Sequence, residues 1–404
     1  MYGPLLRTVL IAIGAFILII ATFHAFSKVP TGSSDSLLSH LPSISITPSK
    51  WEYDSVRDAE DYSLTQDQCQ SAFPNAYYEI DRAVAYWRQN GTIEPSQIDI
   101  NWRGDGAIRA MIHDRQLYIL QSKGATQFHG WRERSLAVLH QINRAILSSR
   151  DPVPNIEFSF VVNDRVDPPK NTNHTHWGFS RKLSAPNYDR LWLIPDFNYW
   201  TFAGVAGSFA DYQRKVRDHD RPMVEKRPEL VWRGAVDVNP GLRGRLLKAT
   251  KGKSWSDVMS FNWGNKTDVR VKKLPMPSHC RYQFTAHTEV TVVHELEWIA
   301  NYYHLLVAEG PDQNILGVKR DWSDLEEKLD YYLEHTEEAQ RIADNGVATF
   351  RDRYLTPAAE ACYWRRLFDG WAEVSFTPEA YETVTNEDGV EESKWRGMSF
   401  EEFV

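Results

Sequence analysis

Two carboxylates and one arginine stand where strand-like runs end. Ile156 to Val162 reads IEFSFVV, a short apolar run of buried-strand character. It opens into a turn-rich loop, NDRVDPPKN, that holds Asp164 and Asp167. A carboxylate at a strand end can take the proton of an attacking hydroxyl. Either aspartate can equally do no more than cap the turn before Pro168 and Pro169. Leu230–Trp232 is another strand candidate, and Arg233 and Gly234 follow it. In open α/β sheets the C-terminal strand ends face the ligand crevice. A guanidinium there can fork onto a diphosphate, and glycine beside it permits close backbone approach. The ordinary alternative is a surface ion pair. No D-x-D pattern is convincing as a metal site, so no required metal or other cofactor is implied, and divalent-metal dependence stays open.

The elements that must hold these loops alternate in character. Ile80, Ala83, Val84 and Trp87 lie on one helical face, and Leu136, Leu139, Ile142 and Ile146 on another. Ala107–Ile112 and Leu117–Leu120 flank a polar His113–Gln116 turn and predict a hairpin. Leu191–Ile194 and Leu305–Val307 are further strand candidates. The chain beyond them is helical. Ser323 and Glu326 make a capping box for a helix bearing Leu325, Leu329 and Leu333. A second stripe carries Ala339, Ile342, Ala343, Gly346 and Phe350. Thr356-Pro357 starts a third helix with Tyr363, Trp364, Leu367 and Trp371. This alternation predicts an α/β protein with mostly parallel sheets, and the length favours two Rossmann-like units over one. There is no G-x-G-x-x-G and no Walker A sequence, so ordinary dinucleotide and P-loop readings lose their main support.

The 404 residues include 46 Lys and Arg against 54 Asp and Glu, a formal charge of -8 that argues against a general nucleic-acid binder. Fifteen tryptophans must serve mainly in cores, with some faces available to line a sugar site. At the N-terminus, Arg7 precedes an uncharged apolar stretch from Thr8 to Phe26 that is long enough to come close to spanning a bilayer. A cleavable signal peptide has a shorter apolar region, so an uncleaved signal anchor over 1–28 is expected. The flanking charges lean toward a cytosolic N-terminus and a luminal remainder. That makes the chain a single-pass type II protein of the Golgi or endoplasmic reticulum membrane. Residues 29–66 begin Ser- and Pro-rich and read as a stem. Sequons at Asn90, Asn173 and Asn265 agree with a luminal glycoprotein.

The ordered pieces IEFSFVVNDRVD, LWLIPDFNYW, VWRGA, GKSWSDV, HCRYQFTAHTE, HELEWIANYYHLL, GPDQN, RDWSDLEEKL and CYW resemble the capsule-associated-protein family, also called protein O-glucosyltransferase-like (glycosyltransferase family ninety), in its fungal branch. The resemblance runs from about Asp67 to the C-terminus. It implies a two-domain GT-B-like fold and an inverting transfer from a nucleotide-sugar donor, usually UDP-linked, in the secretory pathway. The domain expectation is an acceptor-side α/β domain over 67–228, a donor-binding α/β domain over 229–376 and a tail over 377–404. The family's base lies in an N-x-R-D loop. Here the loop has one extra residue, so Asp167 is favoured and Asp164 stands second. The family places a donor-phosphate contact at Arg233-Gly234, with Arg243 and Glu289 as further donor-side candidates. Asp196, Tyr199 and Trp200 could shape the acceptor side, or form a packed corner. The donor is expected to be a UDP-sugar carrying xylose or glucose, the acceptor a glycan or protein hydroxyl.

The chain departs from this family after Glu289, which runs directly into VTVVHELEW. On the order of 15–20 residues, about a turn plus a mean helix, are missing there, including an arginine used on the donor diphosphate. A defect in the coding sequence and a true loss of the donor loop both account for this. The competing function is therefore an inactive or truncated member acting as a luminal binding or scaffold protein. In an oxidising lumen, Cys69 and Cys362 are the pair expected to be bridged. Cys280 is then the odd thiol, because the resemblance puts its partner in the missing helix.

Overall fold

The computed structural model describes residues 51–404 except 128, 165, 171, 203–206, 262–279, 284–289 and 387. The expected anchor, most of the expected stem, Asn265 and Glu289 fall outside the described residues. Among the described residues no helix is long and apolar enough to cross a membrane. The compact unit begins at Trp51, earlier than expected. Leu64 is buried in its core, and Trp51 and Tyr53 pack against it, so 51–66 belongs to the fold rather than to a stem.

The first sheet is built on a hairpin, β1 (Ala107–His113) and β2 (Gln116–Lys123). Asp114 and Arg115 turn it with φ of 48° and 62°, the left-handed pair a two-residue hairpin requires. β3 (Ile156–Val161) pairs antiparallel with β1, then β4 (Trp177–Gly178) and β5 (Trp192–Leu193) continue in parallel. The expectation of mostly parallel sheets therefore fails here. A two-residue connection leaves no room for the crossover that a parallel pair needs. The helices α1 (Gln66–Ala72), α2 (Tyr78–Asn90) and α3 (His129–Leu147) contribute their buried faces to this core. Trp177 stacks on Phe158 at 3.9 Å and meets Trp371 edge-on at 5.5 Å, so these tryptophans serve packing.

The second sheet follows the short helix α4 (Phe209–His219) and is parallel throughout. Its strands are β6 (Arg227–Gly234), β7 (Ser256–Ser260), β8 (Cys280–Gln283), β9 (Val290–His294) and β10 (Leu316–Val318), in the order β7-β6-β8-β9-β10. α5 (Pro240–Thr250), α6 (Leu325–Glu334) and α7 (Thr336–Gly346) cover it, burying Leu230, Val292, Leu316, Leu325 and Ile342. The expected strand at Leu305–Val307 is instead a helical turn, Tyr303–Leu305, running into extended chain. Asn314 explains this: its amide donates to Leu305 O at 2.9 Å and its carbonyl accepts from Val307 N at 2.8 Å, occupying groups a ladder would use. The expected Ser323–Glu326 box is also absent. Asp324 precedes α6 and accepts from Lys319 N at 2.8 Å instead.

Two C-terminal segments return to the first core. α8 (Pro357–Val374), capped by the Thr356 hydroxyl on Ala359 N, buries Trp364, Phe368 and Trp371 there. The packing thus takes 356–376 out of the expected donor-side domain, because this helix is apolar on nearly every side and needs the larger core. Met398–Ser399 then adds β11 to the free edge of β2, and Phe400 inserts beside it. The expected tail is part of the sheet.

Candidate active site

The C-terminal end of β3 and the C-terminal ends of β6 and β9 border one cleft of about 860 Å³. Asn163 and Asp164 line it together with Trp232, Arg243 and Thr291–His294. Asp164 is exposed and its carboxylate pairs with Arg134 Nη1 at 2.7 Å. Arg134 also donates to Val162 O at 3.2 Å and lies over Phe197 at 4.7 Å, which fixes the guanidinium at the strand end. Asp167, three residues on, is not among the cleft residues. It accepts a hydrogen bond from the Tyr188 hydroxyl, and burial and this aspartate together push the Tyr188 phenol up. Tyr188 in turn meets Trp298 edge-on at 5.4 Å.

The two arginines divide differently from the order the sequence implied. Arg233 is spent on the neighbouring strand: its guanidinium bonds the Asp257 carbonyl and its Nη2 reaches Asp257 Oδ1 at 2.6 Å. Its side chain is 6% exposed and does not line the cleft. The reason is register, since β7 runs beside β6 and sets Asp257 opposite Val231. Gly234 is explained by packing, because a Cβ there would collide with the Trp232 ring. Arg243, on α5, does line the cleft. Its Nη1 donates to Ala235 O at 2.5 Å, its guanidinium lies 5.9 Å from the Trp232 ring, and burial lowers its pKa.

A second cavity of about 440 Å³ adjoins the cleft, and Trp298, Tyr302 and Tyr303 line both. Asp196 and Tyr199 lie in its wall. Asp196 caps the turn Phe197–Tyr199, accepting from Asn198 N at 2.9 Å, and burial raises its carboxyl above the usual range while Arg134 pulls it down. Trp200 faces elsewhere. It stacks on His140 at 4.6 Å and lies under Arg144 at 5.0 Å, so it is the packed-corner member of the three. The shared aromatic wall carried no role in the sequence reading. Its signal was the aromatic-rich string EWIANYY, whose side chains sequence alone does not assign to a cleft.

Six residues, 284–289, join β8 to β9, and the strands overlap over only two pairs, Tyr282–Val290 and Gln283–Thr291. A crossover helix between parallel strands takes a dozen or more. On the cleft side of β9, Val292, Leu242, Leu246, Trp322 and Phe350 form an apolar floor. Elsewhere, Cys69 and Cys362 are joined in a disulfide with Cα atoms 5.6 Å apart. Asn90 and Asn173 are exposed, as a glycan acceptor must be. Cys280 opens β8, and its side chain lies outside the described residues. Among the described residues no group of three or more His, Cys, Asp or Glu could hold a metal ion.

Comparison with known proteins covers most of this framework. Protein O-glucosyltransferase 3 of Rattus norvegicus is 40% identical over 72 residues, 18% of this chain and 14% of that protein. Its counterpart from Mus musculus is 39% identical over the same length. The matched stretch thus spans about a seventh of either relative. The model for "Glycosyl transferase family 90" matches residues 67–396, the span that contains the parallel sheet, the first sheet except β11, the cleft and the returning α8. On that match the chain belongs to glycosyltransferase family 90.

Proposed function

We propose that this protein moves a sugar, xylose or glucose in type, from a UDP-sugar to a hydroxyl of a glycan or protein, with inversion, on a GT-B-like scaffold of two Rossmann-like units. The observation that carries this reading is Asp164, just past the end of β3, lining one cleft together with the strand ends of the parallel sheet. The nucleotide would lie along β6, β9 and Arg243, and the acceptor would enter from the aromatic cavity. The acceptor oxygen attacks the anomeric carbon, its proton passes to the Asp164 carboxylate, and the bond to the departing UDP breaks. Arg243 supplies positive charge for that diphosphate. This arrangement favours Asp164 over Asp167 as base, since Asp167 is held by Tyr188 outside the cleft. A luminal, membrane-anchored location in the Golgi or endoplasmic reticulum fits the N-terminal sequence and the exposed sequons.

One observation favours a second reading, a family member that binds without turning over. Only six residues separate β8 from β9 in the sequence, fewer than the dozen or more that a helical crossover takes. Calorimetric titration with UDP, followed by a UDP-release assay with UDP-xylose and UDP-glucose, separates the two. Binding with release supports transfer. Binding without release supports the scaffold, and absence of both removes the donor site from the cleft.

A further inference from the structure

The aromatic cavity of about 440 Å³ beside the cleft holds polar groups that the protein leaves open. Asp196 follows β5 and lines it. Its Oδ1 accepts from both the backbone N and the Nδ2 of Asn198. Its Oδ2 accepts from no donor among the described residues and is not enclosed by the protein. Asn301 is the second group. Trp298–Ile299 pairs with Arg181–Lys182, and this short ladder fixes the segment that carries Asn301 into the same wall. The residue is 7% exposed, yet its amide makes no hydrogen bond among the described residues and is not enclosed either. The Tyr199 hydroxyl, also in the wall, is open in the same way. Buried amides normally find partners, so one kept without a partner beside a cavity is available to a ligand.

These groups restrict what that ligand can be. A carboxylate oxygen accepts, an amide donates and accepts, and a phenol does either. Asp196 disfavours a phosphate or any other anion. Of the two arginines in the wall, Arg351 pairs with Asp220 and Asp352, and Arg217 is exposed. A wholly apolar ligand would bury all three open groups without partners. A serine or threonine of a protein brings one hydroxyl and must draw its main chain in with it. A sugar ring brings several hydroxyls on a compact frame, and its C–H face suits the rings of Phe179, Phe209 and Trp298. The volume falls within the ~300–1,000 Å³ of small-ligand sites. We propose that the acceptor is a glycan rather than a protein side chain, and that Asp196 and Asn301 hold the hydroxyls of its terminal sugar ring in the aromatic cavity. Asn301 is then a residue that determines acceptor specificity. This deepens the proposed transfer and rests on it for the ring's role as acceptor.

The test uses the full chain in a detergent without a sugar headgroup, in the absence of UDP. Saturation-transfer NMR compares the methyl glycosides of mannose, galactose and glucose with N-acetylserine methylamide. At least one glycoside should bind with a dissociation constant on the order of 1–10 mM, about tenfold or more tighter than the serine compound. Asn301→Leu removes an amide that bonds to nothing else among the described residues. It should weaken that glycoside about tenfold and leave the thermal midpoint unchanged or higher, whereas a merely structural amide would lower the midpoint. Asp196→Asn keeps the cap on Asn198 N through Oδ1 and should also weaken the glycoside about tenfold, which keeps the test decisive if Asn301→Leu does not fold. Equal binding of the serine compound, or wild-type glycoside binding in both variants, would overturn the inference. A parallel UDP titration separates the two readings, because neither residue lines the cleft. Normal UDP binding with no glycoside bound would overturn this inference and leave the transfer standing. Glycoside binding without UDP binding would overturn the ring's role as acceptor together with the transfer.

Discussion

Asp164 and Asp167 differ by three positions and by everything around them. Asp164 looks into the cleft from a guanidinium-fixed strand end, whereas Asp167 is tied to a phenol. Asp164→Asn should therefore cut turnover by about 10²–10⁴-fold with UDP affinity nearly unchanged, the signature of a lost base. Asp167→Asn should keep most of its turnover. The reverse pattern in single-turnover assays would return the role to Asp167. The arginines separate in the same way. Arg243→Lys should weaken UDP binding in calorimetry, because a point charge replaces a fork. Arg233→Lys should instead lower stability by about 1–3 kcal/mol, because it disturbs a charged bond to Asp257 without touching the cleft. A denaturant midpoint unchanged in Arg233→Lys would count against that structural role. The sequence showed both arginines beside apolar runs. It could not show that Asp257, 24 residues away on the next strand, lies within reach of Arg233, because strand register is not written locally.

Elements were legible where a period or a cap is strong. The hairpin at 107–123, the helices at 78–90 and 129–147 and the Thr356-capped helix all form where their patterns predict them. The destination of α8 was not legible, because apolarity on nearly all sides says that a helix is buried but not in which core. Burial gives α8 a pH signature. Glu360 is pushed up to about 7 by burial from an ordinary value near 4.5, although Arg144 bonds it at 2.7 Å. The folded chain thus holds this proton more tightly than the unfolded chain does. Its stabilising contribution is full below about 4.5 and is lost as pH rises through about 7. Asp369, raised to about 6, acts in the same direction. His176 acts oppositely. Burial lowers it to about 3 from 6.5, so its contribution holds above 6.5 and fades as pH falls through about 3. Glu360→Gln removes one of these alkaline contributions. The thermal midpoint of that variant should fall less steeply than that of wild type between about pH 5 and about pH 8. Parallel curves would mean that Glu360 does not titrate in that window.

At the scale of the molecule, residues 51–404 form one compact unit although the described residues hold two large cores and a smaller buried cluster around Ile100, Val161 and Tyr188. The chain crosses from the first core to the second near β6 and returns through α8, so the first core is closed by segments from both ends of the unit. The Cys69–Cys362 bridge joins those ends across a sequence separation of 293. α1 and α8 meet there, and Cys69 and Cys362 are both buried in the same cluster as Phe73 and Phe368. Without the bridge, folding the first core must recruit α8 from the far end of a very long loop. Chain-entropy reasoning puts the stabilisation from closing such a loop at roughly 5–6 kcal/mol, less any strain. Replacing both cysteines by alanine should therefore lower the thermal midpoint by about 10 °C or less, while leaving the cleft residues in place. The effect should appear as faster unfolding and slower refolding of the first core, followed by tryptophan fluorescence from the Trp177–Trp371 cluster. UDP affinity measured below the transition should not change, because neither cysteine lines the cleft. Wild-type stability in the double variant would show that packing of α8 alone closes the core. Loss of UDP binding at temperatures where the variant is folded would show instead that the bridge holds the two halves in register across the cleft.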